Sequence, residues 1–147
     1  MGKTRGRWIK CYKVCRREGD KLFSAIIDDN ELKIEYKINA IVRPKVGKIF
    51  AFMNLADADR FNYRYLGSVG VIGVIFSCEG EYSKEQPNVT PNPRPDLIKS
   101  FWEKRLWEEP TWEFSPNPDG TVFLDNIKLL EEARSWSTRH KKEGQNV

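Results

Sequence analysis

The sequence has almost no histidine, the side chain that most often acts as a general acid or base in enzymes. It contains one histidine, His140, close to its carboxyl end. No serine lies in a GxSxG segment, and a cysteine nucleophile would have no well-placed base. The glycines at positions 67, 70 and 73 form GxxGxxG, which is neither a Rossmann fingerprint nor a P-loop. We therefore expect a protein that is not an enzyme and that needs no cofactor.

Cysteine is scarce, and its spacing does not favour a metal site. The three cysteines are Cys11, Cys15 and Cys78. On a strand, Cys11 and Cys15 would share one face but lie about 13 Å apart, which is too far for one zinc ion. An odd number of cysteines also argues against a disulfide framework. We expect no metal ligands, and cysteines that pack as small buried groups.

Long apolar runs are missing as well. The longest, residues 71–76, is interrupted by Gly73 and is far too short to span a bilayer. The basic residues at the amino end lack the apolar stretch of a signal peptide. With 147 residues, of which 39% are hydrophobic and 31% charged, the chain has the composition of one globular domain. We expect a cytoplasmic protein with no membrane partner.

Charge is unevenly distributed along the chain. Residues 1–17 contain seven basic and no acidic side chains, and residues 134–142 contain four more basic ones. Between them, residues 18–133 contain 14 Lys and Arg against 20 Asp and Glu, a net charge of −6. We predict a basic N-terminal extension (1–7), a single α+β domain (8–133) and a polar basic tail (134–147). The two ends are either solvated tails or weak contacts to a polyanion such as a nucleic acid.

Alternating apolar and polar side chains predict a mainly antiparallel sheet. The clearest alternation is at residues 32–38, where every second residue is apolar. Further strands are predicted at residues 8–16, 22–27, 48–52, 71–78 and 121–124, the last extending towards 130. Asn54 is a candidate N-cap for a helix at 55–61, and apolar spacing predicts a second helix at 96–108. The expected fold is α+β, with a mainly antiparallel sheet of five to six strands and one short and one longer helix packed on it.

Tryptophan and arginine are concentrated around the second helix. Trp102, Trp107 and Trp112 fall within eleven residues, Arg94 precedes the helix, and Arg105 lies in its last turn. Aromatic rings stack on bases, and guanidinium groups bind phosphate with paired hydrogen bonds. We therefore predict that Arg94, Arg105, Trp107 and Trp112 bind a ligand. The same composition also suits a protein interface, and core packing is favoured for Trp102.

Several short segments resemble those of small phage-encoded proteins in order and spacing. These are YKV at 12–14, GDKLFSA at 19–25, LKIEY at 32–36, FAF at 50–52, LADA at 55–58 and GTV at 120–122. The layout is similar to that of phage accessory proteins, including the anti-Thoeris sponges that sequester cyclic ADP-ribose isomers. The resemblance implies a small β-sheet protein that acts by binding. It covers about two thirds of the chain and carries no ligand-binding motif.

These observations lead to one functional hypothesis and two alternatives. The first is a non-enzymatic viral accessory protein that binds or sequesters a nucleotide-like small molecule, with a counter-defence role. An alternative is a nucleic-acid or nucleoprotein binding module that uses the basic termini. A further alternative is a structural assembly subunit, a homo-oligomer anchored by exposed tryptophans.

Overall fold

The computed structural model describes residues 7–25, 32–66, 70, 73–91, 94–108 and 114–133. The strands are β1 Trp8–Glu18, β2 Lys21–Ser24, β3 Glu35–Tyr36, β4 Ile41–Val42, β5 Ile49–Phe52, β6 Gly73–Tyr82, β7 Val89–Thr90, β8 Ser115–Pro116 and β9 Thr121–Glu132. The helices are α1 Leu55–Phe61 and α2 Pro95–Glu103. The predicted α+β class with a large antiparallel sheet is confirmed. Within the described residues this sheet has seven strands, one more than the largest number expected.

Four of the strands form a closed ring. Strand β1 pairs with β6, β6 with β9, β9 with β5, and β5 with β1, where Tyr12 lies opposite Phe52. Outside the ring, β2 pairs with the end of β1 and β3 pairs with β2. Strand β4 pairs with β9 beyond the segment that pairs with β5. As a result, β3 and β4 are the two ends of the strand order.

The ring separates two apolar cores. Alternation along β1 directs Cys11 and Cys15 to the inside of the ring and Val14 to the other face. The inner core also contains Ile49, Ala51, Phe76, Cys78, Leu124, Ile127 and Leu129. The outer core lies under α1 and contains Phe52, Ala58, Phe61, Leu66 and Ile75. All three cysteines are buried and free, as the sequence predicts.

The alternating segment at residues 32–38 is only partly a strand. Leu32 and Tyr36 are buried and Glu35 is exposed, in agreement with the alternation. The ladder with β2 nevertheless covers only Glu35–Tyr36. Ile38 is 50% exposed and precedes Asn39, whose φ of 65° lies in the left-handed region. The predicted strand is too long because the chain turns after Tyr36 to reach β4.

The first helix has the predicted bounds because its start is fixed locally. The Asn54 side-chain oxygen accepts a hydrogen bond from the Asp57 backbone N–H at 2.9 Å. A π-helical segment, Asn62–Leu66, continues it. The second helix ends at Glu103, five residues before its predicted end. Arg105 adopts a φ of 52° there, which interrupts the helical backbone before a 3-10 turn at Leu106–Glu108.

The predicted terminal segments fall almost entirely outside the described residues. Arg7 is the exception, and its carbonyl accepts a hydrogen bond from the Tyr82 backbone N–H at 2.7 Å. The tail at 134–147 begins directly after the last described residue, Ala133. Among the described residues, neither helix has the length and apolarity to cross a membrane.

Candidate functional site

Two of the predicted ligand-binding residues, Arg105 and Trp107, lie together. The Arg105 guanidinium is 5.0 Å from the centroid of the Trp107 ring. Its Nε donates to Glu108 Oε1 and its Nη1 donates to Glu85 Oε1, both at 2.7 Å. These hydrogen bonds raise the pKa of Arg105 above its ordinary value. Arg105 therefore already has two carboxylate partners, and it ties the end of α2 to the loop after β6.

The other predicted residues are placed differently. Arg94 is the N-cap of α2 and pairs with Asp96 at 3.2 Å. The nine residues of α2 separate it from Arg105 by about 14 Å of helical rise. Trp112 lies outside the described residues. The structure thus brings Arg105 and Trp107 together and leaves Arg94 at the opposite helix end, so the four-residue ligand site stays a prediction.

A second basic region forms a concavity of about 600 Å³ at the ends of the strand order. Its lining combines four cationic side chains, three apolar ones and a single acidic one. They are Lys21, Lys33, Arg43, Lys45, Phe23, Ile34, Val42 and Glu35. We call this region the basic concavity. Its size falls within the range of small-molecule sites, and its positive charge contrasts with the net acidic segment, residues 18–133, that contains it.

One side of the basic concavity is the β2–β3 ribbon. In this ribbon Phe23 lies opposite Glu35, and the buried Leu22 lies opposite Tyr36. Because neighbouring side chains point to opposite faces, Phe23 and Glu35 share the face that is directed away from the core. Lys33 Nζ lies 4.2 Å from the centroid of the Phe23 ring and 3.5 Å from Glu18 Oε2. We call Lys21, Phe23, Lys33 and Glu35 the ribbon bank.

The other side is the connection between β4 and β5, residues 43–48, which carries Arg43 and Lys45, called here the loop bank. Both flanking strands pair with β9. Lys48 Nζ donates to Asp125 Oδ1 of β9 at 2.6 Å, which holds one end of the connection. Gly47 packs on the Trp102 indole so closely that an added Cβ would lie 2.2 Å from Trp102 Cδ1. Trp102 of α2 thus acts as the support behind the loop bank.

The cations of the basic concavity differ in whether they have partners. Lys33 is engaged with Glu18 and the Phe23 ring. Lys21, Arg43 and Lys45 are exposed, and their side chains make no hydrogen bond or ion pair to any other described residue. Like charges gathered in one place attract anions and raise their local concentration. This arrangement suits an anion that enters from solvent.

Sequence reasoning missed the basic concavity, although part of its signal is visible. Lys33 and Glu35 form the polar face of the alternating segment at 32–38. Lys21 and Lys45 are 24 positions apart in the sequence, and nothing in the local pattern shows that they line one site. Pairing of β2 with β1 and of β4 with β9 brings their neighbourhoods together.

The interior of the ring holds the amine of Lys13 and the thiols of Cys11, Cys15 and Cys78. Lys13 is 7% exposed, and its Nζ donates to the Phe50 carbonyl. Burial lowers the pKa of this amine, and burial raises the pKa of the Cys15 thiol to about 12. A protonated, buried thiol is a poor nucleophile. Among the described residues no group of three or more His, Cys, Asp or Glu side chains is placed to hold a metal ion.

No protein-family model, curated protein or solved structure matches this chain. The resemblance to small phage accessory proteins therefore stays a prediction. The chemistry of the two cation-rich regions is the basis for the functional inference.

Proposed function

We propose that this chain binds an anionic, nucleotide-like small molecule in the basic concavity and holds it without changing it chemically. The observation that carries the proposal is the lining of this concavity: four cationic side chains beside three apolar ones. A nucleotide offers the matching combination, because its phosphates are anionic and its base has an apolar face.

The residues of the basic concavity suggest a role for each part of such a ligand. Arg43 and Lys45 are exposed cations whose side chains have no partner among the described residues, so they can contact phosphate at little cost. The Phe23 ring supplies an aromatic surface for a base on the face that is not covered by Lys33, whose Nζ lies 4.2 Å from the ring centroid. Glu35, directly opposite Phe23 in the ribbon, can accept a hydrogen bond from a base amino group.

The arginine and tryptophan cluster at α2 is less suited to the same task. For Arg105 to bind phosphate, it would have to release Glu85 or Glu108, each held at 2.7 Å. The Trp107 ring is covered on several sides, because it also packs on Phe101 and Trp102 with centroids 5.2 Å away. We therefore favour the basic concavity as the binding site.

Isothermal titration calorimetry with a nucleotide panel tests the proposal. The panel contains AMP, ADP, ATP, cyclic mononucleotides and the cyclic ADP-ribose isomers that the phage resemblance implies. The test variant is the triple substitution Lys21→Gln, Arg43→Gln and Lys45→Gln. The matched control replaces three exposed lysines outside the site, Lys10, Lys84 and Lys104, with Gln.

We expect the test variant to lose at least tenfold in affinity, because each charged hydrogen bond contributes about 1.5 kcal/mol or more. The control should bind like the wild type, and the ligand should be recovered intact by chromatography. Lack of binding across the whole panel, or equal losses in both triple variants, would contradict the proposal.

Nucleic-acid binding is the second candidate function, favoured by the exposure of Lys21, Arg43 and Lys45. It predicts that oligonucleotides bind more tightly than mononucleotides and that affinity falls steeply with salt. Deletion of residues 1–6 and 134–147 separates a contribution of the basic termini from that of the basic concavity. Unchanged oligonucleotide affinity after this deletion would assign binding to the folded domain.

A further inference from the structure

We infer that the ligand has at least two phosphate groups and contacts both banks of the basic concavity at once. This inference rests on the proposed function and extends it by naming the class of ligand. It follows from where the two banks lie in the strand order and from how their cations are partnered.

The two banks belong to opposite ends of the sheet. Strands β3 and β4 are the first and last in the strand order, and no pairing joins them within the part of the chain that the structure describes. In the short connection from Tyr36 to Ile41, the Ala40 N–H donates to the Lys37 carbonyl at 3.2 Å, which closes a turn but does not pair the two strands. The Asn39 N–H of this connection donates to the Leu129 carbonyl of β9 at 2.8 Å. No strand pairing of the described residues closes the gap between the two ends, which a ligand can therefore span.

Cations lie on both sides of this gap. The ribbon bank supplies Lys21 and the loop bank supplies Arg43 and Lys45, all exposed and without partners among the described residues. One phosphate group placed at either bank would leave the cations of the other bank unneutralised. A ligand with two or more phosphates can neutralise both banks, which favours it over a monophosphate through Coulomb attraction.

The loop bank is held in place before any ligand arrives. Its connection is anchored by the Lys48–Asp125 ion pair at 2.6 Å and by the contact of Gly47 with Trp102. The ribbon bank is paired with β1 through β2. The backbone of both banks is thus held in place, so a ligand of the right span would need to order mainly the exposed cationic side chains on binding.

A comparison of bank-specific variants with ligands of different phosphate number tests the inference. One variant is Lys21→Gln for the ribbon bank, and the other is Arg43→Gln with Lys45→Gln for the loop bank. The probes are inorganic phosphate, pyrophosphate, tripolyphosphate, AMP, ADP and ATP, measured by calorimetry. Amide hydrogen exchange at residues 35–45, with and without ATP, supplies a second readout.

The expected result is that ATP binds at least tenfold more tightly than AMP to the wild type. Each bank variant should bind ATP roughly tenfold more weakly than the wild type, because each variant lacks a charged contact. Most of the preference for ATP over AMP should then be lost. AMP should be sensitive to one bank only, and ATP should slow amide exchange on both sides of the gap.

Three results would overturn the inference, and they differ in which conclusions remain. If AMP and ATP bind equally, or if only one bank matters for ATP, the ligand does not bridge and only the proposed function remains. If no probe binds to the wild type, the proposed function falls and the inference falls with it. Tight binding of oligonucleotides together with weak binding of ATP would overturn it in favour of nucleic acid.

Discussion

The end of α2 and the basic concavity both place positive charge beside an aromatic ring, and they differ in how that charge is partnered. At α2, the Arg105 guanidinium lies 5.0 Å from the Trp107 ring centroid and forms two ion pairs at 2.7 Å. In the basic concavity, Lys33 lies over Phe23, while Lys21, Arg43 and Lys45 have no partner among the described residues. Arginine close to tryptophan is the stronger signal in the sequence. In the structure, however, Arg105 already has two carboxylate partners.

The comparison shows why composition alone is a poor guide to binding sites. Ion pairs that tie α2 to the loop at Glu85 use the groups that could otherwise hold a ligand. Cations that keep no internal partner remain available to solvent and to anions.

The contact between Gly47 and Trp102 links the two regions, and its disruption should have the largest effect. In Gly47→Ala, a Cβ 2.2 Å from Trp102 Cδ1 must displace the indole. Overpacking costs about 1–3 kcal/mol and left-handed backbone adds about 1 kcal/mol. We expect the free energy of unfolding to fall by about 3 kcal/mol in a denaturant titration, together with weaker nucleotide binding.

Gly19→Ala is the matched control, because Gly19 has a similar φ of 62° and nothing within 4 Å of an added Cβ. It should lose only the backbone contribution, about 1 kcal/mol. Equal losses for the two substitutions would show that Trp102 does not support the loop bank.

Lys13 is a third kind of cation, buried and with no carboxylate partner in the part of the chain that the structure describes, and it should make stability depend on pH. Burial lowers the pKa of the Lys13 amine in the folded protein, whereas in the unfolded chain this pKa is about 10.4. Between these values the unfolded state binds more protons, so stability should rise with pH, by at most about 1.4 kcal/mol per pH unit. Stability is lowest below the folded pKa.

Denaturant titrations of the wild type and Lys13→Met between pH 7 and 10.5 measure this effect. The difference in free energy of unfolding between the two should shift in favour of the wild type as the pH rises. A pH-independent difference would mean that Lys13 keeps its ordinary pKa despite burial.

Arg105 offers a smaller test, which also checks the sequence-based prediction that it binds phosphate. Arg105→Gly removes two surface ion pairs, worth at most about 1 kcal/mol each, but relieves the left-handed backbone at φ 52°. Arg105→Ala loses the ion pairs without that relief. We expect the Ala variant to be about 1 kcal/mol less stable than the Gly variant, and both to bind ATP like the wild type.

The smallest expected effect is spectroscopic. Because Gly47 of the loop connection packs on Trp102, ligand binding at the loop bank should change the emission of Trp102 more than that of Trp107. Trp102→Phe should abolish most of the change and Trp107→Phe should preserve it. The reverse pattern would place the ligand at the arginine and tryptophan cluster.

Local features of the fold were predictable from the sequence. Helix α1 has its predicted bounds because Asn54 caps it through a contact three residues away. The burial of Leu32 and Tyr36 follows from a period of two. The second helix ends early because Arg105 turns back towards Glu85, twenty residues earlier in the chain, and no local pattern encodes that contact.

The basic concavity could not be predicted for a similar reason. Lys21 and Lys45 line the same concavity only because the strands that carry or flank them pair with β1 and β9. The register of those pairings depends on the whole ring. Closure of the ring, in which β5 meets β1 at Tyr12 and Phe52, is equally nonlocal. The local sequence pattern predicts where strands occur but not the order in which they pair.

The most direct measurement is the dissociation constant of ATP for three proteins, determined side by side by calorimetry at one salt concentration. They are the wild type, the triple variant Lys21→Gln, Arg43→Gln and Lys45→Gln, and the double variant Arg94→Gln and Arg105→Gln. We predict that affinity falls at least tenfold in the triple variant and is unchanged in the double variant. Lost affinity in the double variant with wild-type affinity in the triple variant would show that the ligand binds at α2 and that the basic concavity is not the site.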